Sequence, residues 1–126
     1  MLHALLADAL LLLHGLFILW VVLGALAVWR WPRLLWLHLP AVAWGVWIEW
    51  SGRICPLTPL EWRLRAAAGQ SGHRGGFIEH YLTAAIYPEG LTREVQLALG
   101  AFVFLVNLLL YRAAWRRWRA RRARIA

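Results

Sequence analysis

Residues 4–29 form an apolar run of 26 residues whose only ionisable side chains are Asp8 and His14. As a helix this run would rise roughly 39 Å, more than the ~30 Å hydrocarbon core of a bilayer. A helix apolar on every side needs either lipid or a large core around it, and 126 residues build only a small one. Composition agrees, with 62% hydrophobic and 16% charged residues against about 45–50% and 25% in soluble domains. Disorder is excluded and a soluble domain is disfavoured; one all-α integral membrane domain over residues 1–126 is expected. A signal peptide competes for the first run, with Ala25-Leu26-Ala27 as its cleavage site. The lack of Arg or Lys ahead of the run, and its length, favour a retained helix.

Two more apolar segments follow. Arg30-Trp31-Pro32-Arg33 is a basic turn leading into residues 34–50, which carry His38 near the start and Glu49 near the end. Pro40 within that segment removes a backbone donor and predicts a kink or a close approach to a neighbour. The third segment, residues 93–114, opens after Thr92, a helix N-cap, and continues as a basic helix through Trp115 and Trp118. Three spans at about 4–29, 34–50 and 93–114 result. Residues 51–92 form a more polar cap and residues 115–126 a basic tail. Two short helices are expected in the cap. Thr58-Pro59-Leu60-Glu61 fits a capping box with proline at the first helical position, and Gly69 ends that helix after about Ala68. Residues 77–86 put Phe77, Ile78, Tyr81, Leu82, Ala85 and Ile86 on one face, the pattern of a second amphipathic helix.

Arginine placement sets the expected orientation. Seven of the chain's arginines fall in residues 112–124, and lysine is absent. Three spans put Arg30, Arg33 and that tail on one side, with nine arginines and no acid. The other side receives five arginines and all six acids, Asp8 to Glu94, so the net charge of +8 divides as +9 and −1. The positive-inside rule then places the N-terminus and cap outside and the C-terminus in the cytoplasm. Trp29, Trp31, Trp36, Trp115 and Trp118 fall at the inner boundary, and Trp50 and Trp62 at the outer one, as interfacial belts do. Trp20, Trp44 and Trp47 lie deeper and read as packing residues. Arg112, Arg116, Arg117 and Arg119 are expected to contact anionic lipid headgroups, each contributing about 1 kcal/mol. Nucleic acid is not expected as a partner.

Depth along the helices sorts the polar residues into two levels. His14 lies 16 residues from Arg30 and Glu49 lies 16 from Arg33, so both sit about 24 Å above the inner boundary. His38 and Asn107 are five residues from Arg33 and Arg112 and sit roughly 7–8 Å above it. At the outer level, a buried pair that fixes packing competes with an outward-facing site completed by Glu79, His80, Cys55 or Arg65. Such a site could take a transition metal, haem or quinone, or relay protons. A bis-histidine haem between His14 and His38 fails, because their depths differ by about 16 Å and axial ligands sit about 4 Å apart. Cys55 is the single cysteine, which excludes an internal disulfide and any CxxC or CxxCH site. No metal set is assigned with fixed spacing, and no P-loop, GxGxxG, HExxH or Ser-His-Asp pattern occurs.

A family resemblance rests on residues spread over nearly the whole chain. They are His14, Trp31-Pro32-Arg33, His38-Leu39-Pro40, Glu49 and Cys55-Pro56-Leu57-Thr58-Pro59-Leu60-Glu61 with Leu64-Arg65 and Gly69. Gly76-Phe77-Ile78-Glu79-His80-Tyr81, Tyr87-Pro88 and Asn107 complete the set. In these the chain resembles the small bacterial membrane proteins of domain-of-unknown-function family 2784. The resemblance implies a helical fold in a bacterial inner membrane and carries no activity. The expected role is a non-enzymatic accessory or scaffold subunit with a protein partner or a second copy. A metal- or haem-binding redox protein is the alternative, and a small transporter stands third because no broken span or inverted repeat is visible.

Overall fold

The structure, a computed structural model, describes residues 1–70 and 92–126. Four α-helices occur among them: α1 (Leu2–Arg30), α2 (Leu35–Ser51), α3 (Leu57–Ala67) and α4 (Arg93–Ile125), with a 3₁₀ turn at Pro32–Leu34. No strand is found among the described residues. The expected second cap helix lies outside them.

Each helix end has a local cause. The first helix stops where Trp31 takes an extended conformation (φ −128°, ψ 91°), as a residue preceding proline must when its neighbour's ring excludes the helical region. A Schellman motif closes α2: Gly52 adopts φ +69°, its N–H donates to the Glu49 carbonyl, and the Arg53 N–H donates to that of Ile48. Gly69 (φ +74°) ends α3 in the same way, through bonds to the Ala66 and Arg65 carbonyls. The last helix is capped by Thr92, whose Oγ1 accepts from the Val95 N–H at 3.3 Å. Pro40 sits in the second turn of a helix that continues unbroken to Ser51.

One expectation is corrected here and another is met in part. The expected capping box is not formed as read: α3 begins at Leu57, with Pro56 rather than Thr58 as its N-cap residue. Thr58 is instead fully buried against the bundle, and Glu61 turns to Arg65. Of the three expected spans, two coincide with helices that are long and apolar enough to cross a membrane among the described residues, α1 and α4. With its 17 residues, α2 is shorter than either.

Packing is organised around α1, which touches each of the other three helices; α3 packs on α1 alone among the described helices. Helices α2 and α4 run antiparallel, with Arg93 bonded to the Glu49 carbonyl at one end and Tyr111 bonded to His38 at the other. The core between α1, α2 and α4 is small, with Val21, Val42 and Val46 backed by Phe17, Ala41 and Val103. Close approach depends on glycine. A Cβ on Gly24 would lie 2.3 Å from His38 Cδ2, and one on Gly100 would lie 2.4 Å from Trp50 Cδ1.

The distribution of side chains is inverted relative to a soluble bundle. Large apolar residues such as Leu12, Leu16, Leu19, Phe102, Leu105 and Leu109 are exposed. His14, His38, Thr58, Glu61, Arg65, Gln96 and Asn107 are buried. The short helix α3 repeats the pattern, with Thr58, Glu61 and Arg65 facing in and Leu60 and Trp62 facing out. Trp44 and Trp47, expected to pack inside, are exposed to about 43% and 46% and lie against each other at 5.3 Å.

Candidate functional site

The polar level nearer the basic tail is built on the backbone of α1. His38 is fully buried, and its Nε2 lies 2.9 Å from the Trp20 carbonyl oxygen. A carbonyl only accepts, so Nε2 carries the proton. In the neutral ring Nδ1 then accepts from the Tyr111 hydroxyl at 2.6 Å. Asn107 reaches the next residue of α1, its Nδ2 donating to the Val21 carbonyl at 2.9 Å and also to Val103 in its own helix. Its Oδ1 is buried without a partner among the described residues. His38 and Asn107 do not bond each other. Each holds one of two consecutive carbonyls of α1, and Gly24 leaves the space that lets the imidazole come in. Tyr111 was not singled out from the sequence. The signal for it was its place four residues after Asn107, on the same helical face.

The level at the cap end is charged. Arg65 is the centre, its side chain about 11% exposed. Nε donates to Glu61 Oε1 at 2.7 Å, Nη1 to Gln70 Oε1 at 3.3 Å and Nη2 to Asp8 Oδ1 at 3.2 Å. The Glu61 bond is an i, i+4 pair that is almost wholly buried, whereas the Asp8 side chain is 56% exposed. His14 is buried nearly two turns beyond Asp8 along α1, and among the described residues the carboxylate acting on it is Glu61. Of the expected outer cluster, the structure thus gathers His14 and Arg65 and adds Glu61, Asp8 and Gln70.

Glu49 stands apart from that cluster. Its Oε2 is buried and has no hydrogen-bond partner among the described residues. Its backbone carbonyl accepts from Arg93 Nη1 at 2.9 Å, while Arg93 Nη2 bonds the Trp50 carbonyl. These bonds satisfy carbonyls that the end of a helix leaves open. Cys55 is a half-buried free thiol in the α2–α3 connection, its carbonyl accepting from the Thr58 N–H. Glu79 and His80 lie outside the described residues. Among the described residues no group of three or more His, Cys, Asp or Glu is arranged to hold a metal ion.

At the other end α4 continues as one helix through the basic tail to Ile125. Arg112, Arg116, Arg117 and Arg119 are exposed, and the Arg117 guanidinium lies 4.8 Å from the centre of the Trp29 ring.

The sequence model of the family described as Protein of Unknown function (DUF2784) matches residues 4–112. The chain belongs to this family. No curated protein and no solved structure matches it. The DUF2784 segment takes in both polar levels, from Asp8 to Tyr111, and the close glycine contacts at Gly24 and Gly100. It closes at Arg112, so the arginines from Arg116 to Arg124 lie beyond the family match.

Proposed function

We propose that this DUF2784 protein is a three-span protein of a bacterial inner membrane and serves as a non-enzymatic accessory or scaffold subunit. The inverted distribution of side chains is the observation that carries the membrane reading. Exposed leucine, tryptophan and phenylalanine surround buried polar groups, an arrangement costly in water and natural in lipid. Two helices already have the length and hydropathy to span. As the third, α2 and its leading 3₁₀ turn together rise about 31 Å, close to the hydrocarbon thickness. Six of its exposed residues are Trp36, Leu37, Leu39, Trp44, Trp47 and Trp50. Arginine asymmetry supports a cytoplasmic tail in contact with anionic headgroups.

The scaffold reading is supported by what the buried polar groups do. His38 and Asn107 tie α1 to α2 and α4, and Arg65 ties α1 to α3. The side chains that a membrane makes most costly are thus engaged in joining helices. A small valine core with exposed apolar flanks suits association with a partner in the bilayer.

Mild-detergent extraction followed by mass spectrometry tests the role, and a constant protein partner or a defined oligomer is expected. A solitary monomer carrying stoichiometric metal, or showing a haem Soret band, would overturn it. Reporter fusions test the topology: after Ala126 a reporter should be active only in the cytoplasm, and within residues 53–56 only in the periplasm.

A further inference from the structure

A groove of about 610 Å³ runs along α2, with Phe104 of α4 as its opposite wall. Leu39, Val46, Trp47 and Trp50 of α2 lie along it with the spacing of one helical face, and the lining ends at Ser51. From Leu39 to Ser51 the helix rises about 18 Å, close to the ~15 Å depth of one leaflet of hydrocarbon. Its volume falls within the roughly 300–1,000 Å³ of small-ligand sites.

What sits at the end of the groove is cationic. The Arg53 guanidinium lies 5.2 Å from the centre of the Trp47 ring, and Trp47 is part of the groove wall. The backbone of Arg53 is held on both sides, its N–H by the Ile48 carbonyl and its carbonyl by the Gln96 amide at 3.5 Å. Among the described residues its side chain forms no ion pair, and the ion pairs there belong to Arg65. Arg93, bonded to the Glu49 and Trp50 carbonyls, adds a second guanidinium at the same helix end. The Glu49 side chain is not part of the groove lining, and its Cβ faces Gly100 of α4.

We propose that this groove binds one acyl chain of an anionic phospholipid, with the headgroup phosphate held by Arg53. The inference rests on the membrane reading above. An open apolar groove one leaflet deep, walled by aromatic rings and ending at a guanidinium stacked over Trp47, matches a phosphate-bearing amphiphile in both shape and charge. A second copy of the chain fits less well, because it carries the same net charge of +8 and would bring further arginine to that end.

The test reconstitutes the full chain in phosphatidylcholine bilayers containing trace phosphatidylglycerol or phosphatidylcholine with a photoreactive acyl chain. Labelled peptides are then mapped by mass spectrometry. Replacement of Arg116, Arg117, Arg119 and Arg121 by Gln in every sample removes the tail's own attraction for anionic lipid. Labelling is expected to concentrate at Val46, Trp47, Trp50 and Phe104 and to be stronger with phosphatidylglycerol. Arg53→Gln should lower the phosphatidylglycerol signal about fivefold, the factor matching ~1 kcal/mol for one arginine near the headgroups. The phosphatidylcholine signal should fall less than that, because its choline cation already offsets the phosphate charge that Arg53 meets. Ala43→Phe, which narrows the groove, should lower both.

Even labelling along Leu12, Leu16 and Leu19, without headgroup preference, would overturn the proposal. So would a protein–protein crosslink formed in place of lipid by a photoreactive residue at position 43. Failure of the chain to co-float with the vesicles would instead refute the membrane reading itself.

Discussion

The two polar levels hold the same helix by different chemistry. Near the tail, His38, Tyr111 and Asn107 are neutral groups, and two of them bond backbone carbonyls of α1. At the cap end, Arg65, Glu61 and Asp8 are charged groups that bond one another. On the membrane reading proposed above, the difference follows the cost of charge with depth. An ion at the centre of a spanning helix costs about 2.5–3.5 kcal/mol, and that cost falls towards the interface, where water and headgroups reach it. Neutral hydrogen bonds serve in the deeper layer, and ion pairs appear where α1 begins. One level is insensitive to salt and the other is exposed to it on its Asp8 side.

Substitutions should break the two levels unequally. The largest effect is expected from Arg65→Met, which leaves the Glu61 carboxylate buried and alone. A loss of about 3–5 kcal/mol follows from such an uncompensated charge. It would be read as protease cleavage in the 53–57 connection and a lower melting temperature in detergent. Adding Glu61→Leu should recover most of that loss, since a buried pair replaced by apolar groups is often nearly neutral. If the double variant were as unstable as the single one, the pair would be doing more than compensating its own burial.

At the neutral level, Gly24→Val is expected to cost about 1–3 kcal/mol by overpacking against His38. The same change in a His38→Ala background should cost clearly less, which a thermal melt of the four variants would resolve. Equal costs in both backgrounds would mean that the glycine serves something other than the imidazole. Next come His38→Leu and Asn107→Leu, at about 1 kcal/mol each, the scale of interhelical hydrogen bonds in bilayers. Their melting points should not move between low and high salt. Asp8→Asn closes the series at under about 1 kcal/mol, as for a half-exposed ion pair. Its deficit should vanish in high salt, because there the wild-type bond is screened as well.

The sequence made much of this frame readable. The runs that became α1 and α4 were legible from length and hydropathy, and Thr92 and Gly69 marked helix ends by side-chain and backbone chemistry. Counting residues from the inner arginines also put His38 and Asn107 at one height. Their partners were hidden, because a backbone carbonyl of α1 leaves no mark in the residue pattern. Counting along the spans paired His14 with Glu49, whereas in the structure Glu61 is the carboxylate acting on His14. Helix α3 folds back onto the start of α1, and depth arithmetic within the spans contains no information about that return. Thr58 was misread for a related reason. Its three-residue spacing to Glu61 satisfies a capping box, but the same spacing puts both on the helix face that packs against α1.

Asn107 grips α1 near the middle of a helix that runs without a break from Arg93 to Ile125. From that grip the helix extends about 21 Å to Arg93 and about 27 Å to Ile125. A stiff beam held there has arms of nearly equal length and an attachment at one tip, where Arg93 bonds the Glu49 and Trp50 carbonyls. Tilting it by 1 Å at Arg93 swings Ile125 by about 1.3 Å in the opposite direction. Tyr111 and Arg117 hold that longer arm to His38 and Trp29, so a tilt begun at Arg93 strains these two contacts before it reaches Ile125.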